Sequence, residues 1–226
     1  MFGKIAKCFL AVLGLQLLCS CASSFITPNF SRSGFSLSEL RAARSVLIVS
    51  DKAQVLGFKK SYAKAYGKDE PLSKQLSRIL LDSLNASGTG MSITKGPSRL
   101  AAALDQAASD TVVKPDSLLF KSIDARFVVH VGNIVISSSK TYTAGVLAPS
   151  GPGGQMTMTG GGTSNNCNVS FDVTIWNVDD KMRVISFSVT GNSSVFLFFY
   201  QTALENAVWK TAWHAVEHLR NAQPKS

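Results

Sequence analysis

Several groups of side chains have types and spacing that chemistry could use. His214, Glu217 and His218 spell H-x-x-E-H, the inverted zinc-protease motif. On a helix the two imidazoles stand one turn apart and could share a metal, with Glu217 beside them. Few residues follow His218, too few for a downstream acidic third ligand, and His130 is the only other histidine. The plainer reading is a solvated helix face whose imidazoles, near the C-terminus, interact favourably with the helix dipole. A metal-dependent hydrolase using these three residues is therefore the last-ranked function, and no metal ligand is assigned. Residues 151–162 read GPGGQMTMTGGG. A phosphate loop would need Gly-Lys-Ser/Thr, and a dinucleotide turn would need a strand before and a helix after. Strands are expected on both sides, so the segment reads as a flexible inter-strand loop. Met156 and Met158 do alternate with Gln155, Thr157 and Thr159, as in a pore-lining hairpin. Five such residues fall short of the ~9–11 that a barrel strand needs. No G-x-S-x-G elbow is present, and Cys167, at a strand start, reads as a packed small residue. The sequence thus assigns no catalytic residue and implies no cofactor.

Two further groups suit contacts better than catalysis. Trp209 and Trp213 are four residues apart, beside the apolar stripe of a helix and not in it. They either pack under a neighbouring element or form a partner or self-association surface. Lys52, Lys59, Lys60, Lys64 and Lys68 make a basic stretch. It reads as a solvated face or, less simply, as a contact for anionic lipid or polysaccharide.

The N-terminus places these groups in a compartment. Lys4 and Lys7 precede an apolar run from Cys8 to Leu18. That run is too short for ~30 Å of hydrocarbon and fits a signal peptide. Leu18-Cys19-Ser20-Cys21 resembles a bacterial lipobox. The resemblance implies cleavage after residue 20 and acylation of Cys21, with palmitate-type chains holding the protein in a bilayer. Ala22 stands where an Asp would mark inner-membrane retention, which favours the outer membrane, facing the periplasm.

Composition agrees once this segment is set aside. The 226 residues carry 23 Lys and Arg, 14 Asp and Glu, and four Cys, for a net +9. Residues 1–20 hold two lysines and no acid, so their removal leaves +7. The bases form no nucleic-acid recognition motif, and no nucleic-acid partner is expected. Cys8 and Cys19 leave with the signal and Cys21 takes the lipid, so Cys167 stands alone and no intramolecular disulfide is possible. At 45% hydrophobic and 16% charged residues, the fold must rest on an apolar core.

The elements that position these groups follow from periodicity. Residues 21–43 are expected to be the lipid anchor and a tether, with a short helix near Ser36–Ala43. Ser45–Ser50 reads as a strand and Asp51–Asp69 as a loop with a loose helical part. Pro71 opens a helix marked by Leu72, Leu76, Ile79, Leu80 and Leu84. Met91–Thr94 reads as a strand and Ser98–Ser109 as a helix. From Ala125 the period becomes two: Phe127, Val129 and Val131 alternate with Val128 and His130, and the parity flips at Gly132-Asn133, predicting a bulge. Cys167–Val178 and Met182–Thr190 read as a hairpin turned by Asp179-Asp180-Lys181. Phe196–Arg220 reads as a final helix with a buried stripe of Tyr200, Leu204, Ala207, Val208, Thr211, Ala215 and Leu219. The fold class is α/β: a mixed sheet with helices packed on it, one domain over residues 44–222 after the signal and short tether, with 223–226 as a tail.

Three stretches carry a family resemblance: Ala125–Lys140 (ARFVVHVGNIVISSSK), Val169–Val184 (VSFDVTIWNVDDKMRV) and the helix Ala203–Leu219. They resemble a bacterial outer-membrane lipoprotein family that includes the curli secretion channel, the Pel export lipoprotein and activators of penicillin-binding proteins. The resemblance implies a non-enzymatic lipoprotein that assists envelope assembly, secretion or export through protein contacts, with a homo-oligomeric ring as one arrangement. An activator of a peptidoglycan synthase is the alternative. Activators carry a long Pro-rich tether, whereas about 20 residues with Pro28 alone stand here. The curli channel carries barrel-building hairpins, for which the only counterpart is Gly145–Asn166.

Overall fold

The computed structural model describes residues 25–31, 35, 37–67, 71–86, 92–109, 120–121, 123–150, 155–159 and 161–221. The expected signal segment and Cys21 lie outside the described residues. In chain order the elements are β1 (Phe25–Ser31), α1 (Leu37–Ala42), β2 (Arg44–Val49), β3 (Ala53–Val55), α2 (Lys59–Tyr66), α3 (Leu72–Ala86), β4 (Ser92–Lys95), and α4 (Ala101–Ser109), entered through a 3₁₀ turn. They continue with β5 (Phe127–Thr143), β6 (Val146–Ser150), β7 (Gln155–Thr159), β8 (Gly162–Asn177), β9 (Met182–Ser194) and α5 (Tyr200–Asn221). Seven strands form one open mixed sheet in the order β1-β9-β8-β5-β2-β4, with β3 also paired to β5. The β4-β2-β5 side is parallel and the β5-β8-β9-β1 side antiparallel.

Period-two alternation decides which side chains meet which helices. Phe127, Val129 and Val131 of β5, Val169, Phe171 and Val173 of β8, and Phe187 and Val189 of β9 face α3 and α5. Leucines at four-residue spacing on α3 (Leu72, Leu76, Leu80, Leu84) and Leu204, Ala207, Val208 and Ala215 of α5 complete that core. Each fully buried leucine contributes about 1.5–3 kcal/mol of transfer free energy. Val46, Ile48 and Val128 point the other way, with Trp176, and are covered by Ala101, Leu104 and Ala107 of α4 and by Phe120. Gly191 lets α5 approach β9: a Cβ there would lie 2.6 Å from Thr211 Oγ1 and 3.0 Å from its backbone N. Thr211 Oγ1 in turn donates to the carbonyls of Ala207 (2.6 Å) and Val169 (3.2 Å).

The bulge expected in β5 is present: the register with β8 shifts between Gly132 and Val135, and Asn133 has φ 50°. Four expectations are corrected. Phe25–Ser31, assigned to the tether, is an edge strand on β9. Its side chains are mostly exposed, so no burial alternation marks it, and Pro28 sits where the pairing slips, as proline does on sheet edges. The stretch read as a loop with a loose helical part after Ser50 does hold a helix, the two-turn α2, but it also contains the strand β3, which was not expected. The glycine-rich region is not merely an inter-strand loop, because β6 and β7 pair antiparallel as a separate two-stranded sheet. Finally, α5 begins at Tyr200, not Phe196, and Tyr200 is exposed.

Candidate functional site

The exposed Trp pair lies on α5. Ala207, Val208, Thr211, Ala212 and Ala215 are buried against the sheet, which leaves the flank carrying residues 209 and 213 outside. The i,i+4 spacing brings the two indoles together, with ring centroids 5.7 Å apart and planes 15° apart. Trp209 remains 51% exposed and Trp213 39%, so the rings shield one another but no described element covers them. Of the two readings open in the sequence, packing under a neighbouring element is absent among the described residues.

The H-x-x-E-H residues divide between two environments. His214 Nδ1 is 3.6 Å from Glu217 Oε2 on the outer face. His218 turns inward, its ring edge-on to Phe187 at 4.6 Å between centroids, and burial lowers its pKa below 6.5. The imidazoles therefore serve different neighbours and do not converge. Among the described residues no group of three or more His, Cys, Asp or Glu is placed to hold a metal ion. Cys167 is buried, and burial raises its thiol pKa to about 12, so it is held as the thiol.

A polar cluster that the sequence did not single out lies where β2 and β5 meet α4. His130 is 1% exposed and its Nε2 sits 3.1 Å from Asp105 Oδ1. Ser50 Oγ donates to Asp105 Oδ2 at 2.6 Å, and the Lys52 backbone N–H donates to Ser50 Oγ at 3.2 Å. Burial pushes the Asp105 pKa up. The nearby His130 imidazole, the Ser50 hydroxyl and Lys52 outweigh it, so the carboxyl stays below its usual range. Gly132 makes room for the pair, since a Cβ would run into Asp105 Oδ1 and lie 2.7 Å from His130 Cε1. Beside them is a cavity of about 620 Å³ lined by Ser50, Lys52, Gln54, Asp105, Gln106 and Asn133. The Ser50 hydroxyl donates to the carboxylate and not to the imidazole, so the three residues are not connected in the Ser–His–acid order of a hydrolase triad. The cluster ties α4 to the sheet. Its signals in the sequence were a histidine inside an apolar strand and an acid inside an apolar helix.

The same sheet face continues in hydroxyls and amides across the antiparallel strands. Asn133 Nδ2 donates to Asp172 Oδ2 (2.7 Å), Ser188 Oγ to Asp172 Oδ1 (2.5 Å), and Asn29 Nδ2 to Ser188 Oγ (2.7 Å). No helix of the described residues is long and apolar enough to cross a membrane.

No family model matches the chain, and no curated protein matches it. Among solved structures, the chain is similar to the PelC dodecamer of Paraburkholderia phytofirmans, with 12% identity over 89% of this chain and 99% of that one, at a TM-score of 0.39. It is similar to a neuraminyllactose-binding hemagglutinin homolog from Helicobacter pylori, with 12% identity, 78% and 85% coverage, and a TM-score of 0.39. It is also similar to the protein CT253 of Chlamydia trachomatis, with 10% identity, 78% and 98% coverage, and a TM-score of 0.42. The likeness to the Pel export lipoprotein is therefore one of fold alone, and no activity or partner is carried over.

Proposed function

We propose that this chain is a lipid-anchored, periplasm-facing protein of the outer membrane that works by contact with other envelope proteins and with its own copies, without catalysing a reaction. The observation that supports this reading is the Trp209–Trp213 pair. Two stacked indoles left half-exposed on a helix otherwise packed into the core are the kind of residues that dominate protein interfaces. Their N–H groups give two otherwise apolar rings a polar handle. Lipidation of Cys21 rests on the lipobox-like Leu18–Cys21.

Mass measurement on the full-length protein extracted from membranes tests both parts. The expected result is a mature chain starting at an acylated Cys21 and a species larger than a monomer. Replacing both indoles, Trp209→Ala with Trp213→Ala, is expected to weaken self-association at least about tenfold, which is about 1.4 kcal/mol. A wild-type protein that is monomeric at all concentrations would overturn the self-association, and an unmodified N-terminus would overturn the anchor.

A further inference from the structure

The largest exposed apolar group of the described molecule is the connection from β9 to α5. Five consecutive side chains without a formal charge lie open there: Phe196 (48% exposed), Leu197 (65%), Phe198 (86%), Phe199 (59%) and Tyr200 (38%). Leu197 is held at φ 52°, and the turn is closed by Phe199 N–H donating to the Phe196 carbonyl (3.0 Å) and Tyr200 N–H to the Phe198 carbonyl (2.9 Å). A branched residue in the left-handed region costs about 1–2 kcal/mol, and here it turns outward a run that a helix could have buried in part. Next to the loop, the Phe58 ring meets Tyr200 at 5.7 Å, and Leu56 is 61% exposed.

Two features say what covers this surface. The first is charge. Lys59 and Lys60 follow Phe58 and are exposed. Lys140, also exposed, pairs with Asn165, whose carbonyl accepts the Val195 N–H at the foot of the loop. Lysines therefore flank the apolar residues, the arrangement that suits an anionic lipid headgroup layer. The second is chain direction. β1 runs antiparallel to β9, and its first residue, Phe25, pairs with Thr190 near the end of β9 that leads into the loop. Cys21 is only four residues upstream of Phe25, a reach of at most ~14 Å when extended. An anchor at Cys21 therefore holds the bilayer close to the end of the sheet from which Phe196–Tyr200 emerge.

We infer that Phe196–Phe199 form a wedge that inserts into the acyl-chain region of the bilayer, with Lys59, Lys60 and Lys140 on the anionic headgroups. The inference builds on the proposed lipidation of Cys21, but the wedge has its own surface and its own test. An acyl anchor alone leaves a domain free to tumble about a short leash. A second apolar contact at the same end fixes the orientation and leaves the Trp209–Trp213 flank free for protein.

The test places a nitroxide on the wedge of the full chain. Phe198→Cys supplies the labelling site, since Cys167 is buried. Asp180→Cys, in the β8–β9 turn at the other end of β9, supplies the control. The labelled proteins are reconstituted into vesicles of phosphatidylethanolamine and phosphatidylglycerol, and accessibility to oxygen and to a water-soluble nickel chelate is read by power saturation. The expected result is that the label at 198 is open to oxygen and shielded from nickel, at least about tenfold relative to the label at 180. A label at 198 open to nickel in vesicles overturns the wedge. A label shielded from both reagents also overturns it, because that pattern marks burial against protein. The mass of the same sample separates the two readings. An acylated protein with a wet loop removes the wedge and keeps the anchor, whereas an unacylated protein that floats with the vesicles and has a dry loop keeps the wedge and removes the anchor.

Discussion

Two groups of exposed aromatics flank the first turns of α5, and they are exposed for different reasons. Trp209 and Trp213 leave the core because helical spacing carries them to the outer flank, where they stack on each other and share the cost of exposure. Phe196–Phe199 leave it because one left-handed residue, Leu197, turns the chain outward before the helix begins. The tryptophans keep a polar N–H and suit a contact that is partly wet. The phenylalanines have no polar side-chain atom, and Phe198 is 86% exposed. Exposure alone does not distinguish a protein-facing surface from a lipid-facing one; the polar handle, the flanking charge and the direction of the chain do.

The sharpest way to break this contrast is to compare the loop with the core a few residues on. Leu204 is 0% exposed, one turn into α5. Leu204→Ala is expected to cost about 3 kcal/mol, by loss of transfer free energy and by the cavity left behind. Phe198→Ser is expected to stay within about 0.5 kcal/mol, as substitutions at sites without core contacts do. Urea unfolding midpoints at constant slope measure both. Similar losses for the two would mean that the loop packs on the fold and is no surface at all.

How much of this was legible depended on the range of the contacts. The β8–β9 hairpin, the bulge at Gly132-Asn133 and the leucine face of α3 are local patterns, and reading them needs only neighbours in sequence. β1 escaped because on this edge strand only Ile26 packs on the core, which leaves no alternation, and Thr27, Pro28, Asn29 and Ser31 read as linker. The Trp pair could be found from its i,i+4 spacing, though nothing local said whether a further element would cover it. The His130–Asp105 pair was not legible, since it joins a strand to a helix of the preceding crossover and its alignment depends on how α4 lies across the sheet. The wedge was misread as the start of a helix, because an apolar run leading into a helical stripe does not reveal a left-handed residue.

A smaller effect sharpens the contrast at the residue that creates it. Leu197→Gly removes a left-handed strain of about 1–2 kcal/mol and adds about 0.5–1 kcal/mol of unfolded-state entropy loss. The net expectation is a gain in stability of roughly 0.5 kcal/mol, together with a weaker lipid contact. Thermal unfolding and vesicle flotation of the same variant should therefore move in opposite directions. A loss in both would show that Leu197 is held by packing and that its conformation is not strained.

The smallest expected effect lies at the far end of the same helix. His218 packs on Phe187, and burial holds its pKa below 6.5. The unfolded chain therefore binds the proton more readily than the folded one, so unfolding takes up protons as the pH falls through this range. The stability linked to His218 is fully present above pH 6.5 and is lost progressively as the pH drops through the lower folded value. His218→Gln cannot titrate, and it should flatten that part of the curve while leaving the acid limb, where carboxylates such as Asp105 take up protons, in place. Unfolding midpoints between pH 8 and pH 5 are the measurement, and an unchanged slope in the variant would mean that His218 titrates alike folded and unfolded. Because Trp213 sits one turn before Glu217, on the exposed flank, Trp213→Ala should leave this slope alone, which separates the exposed flank from the face that meets the sheet.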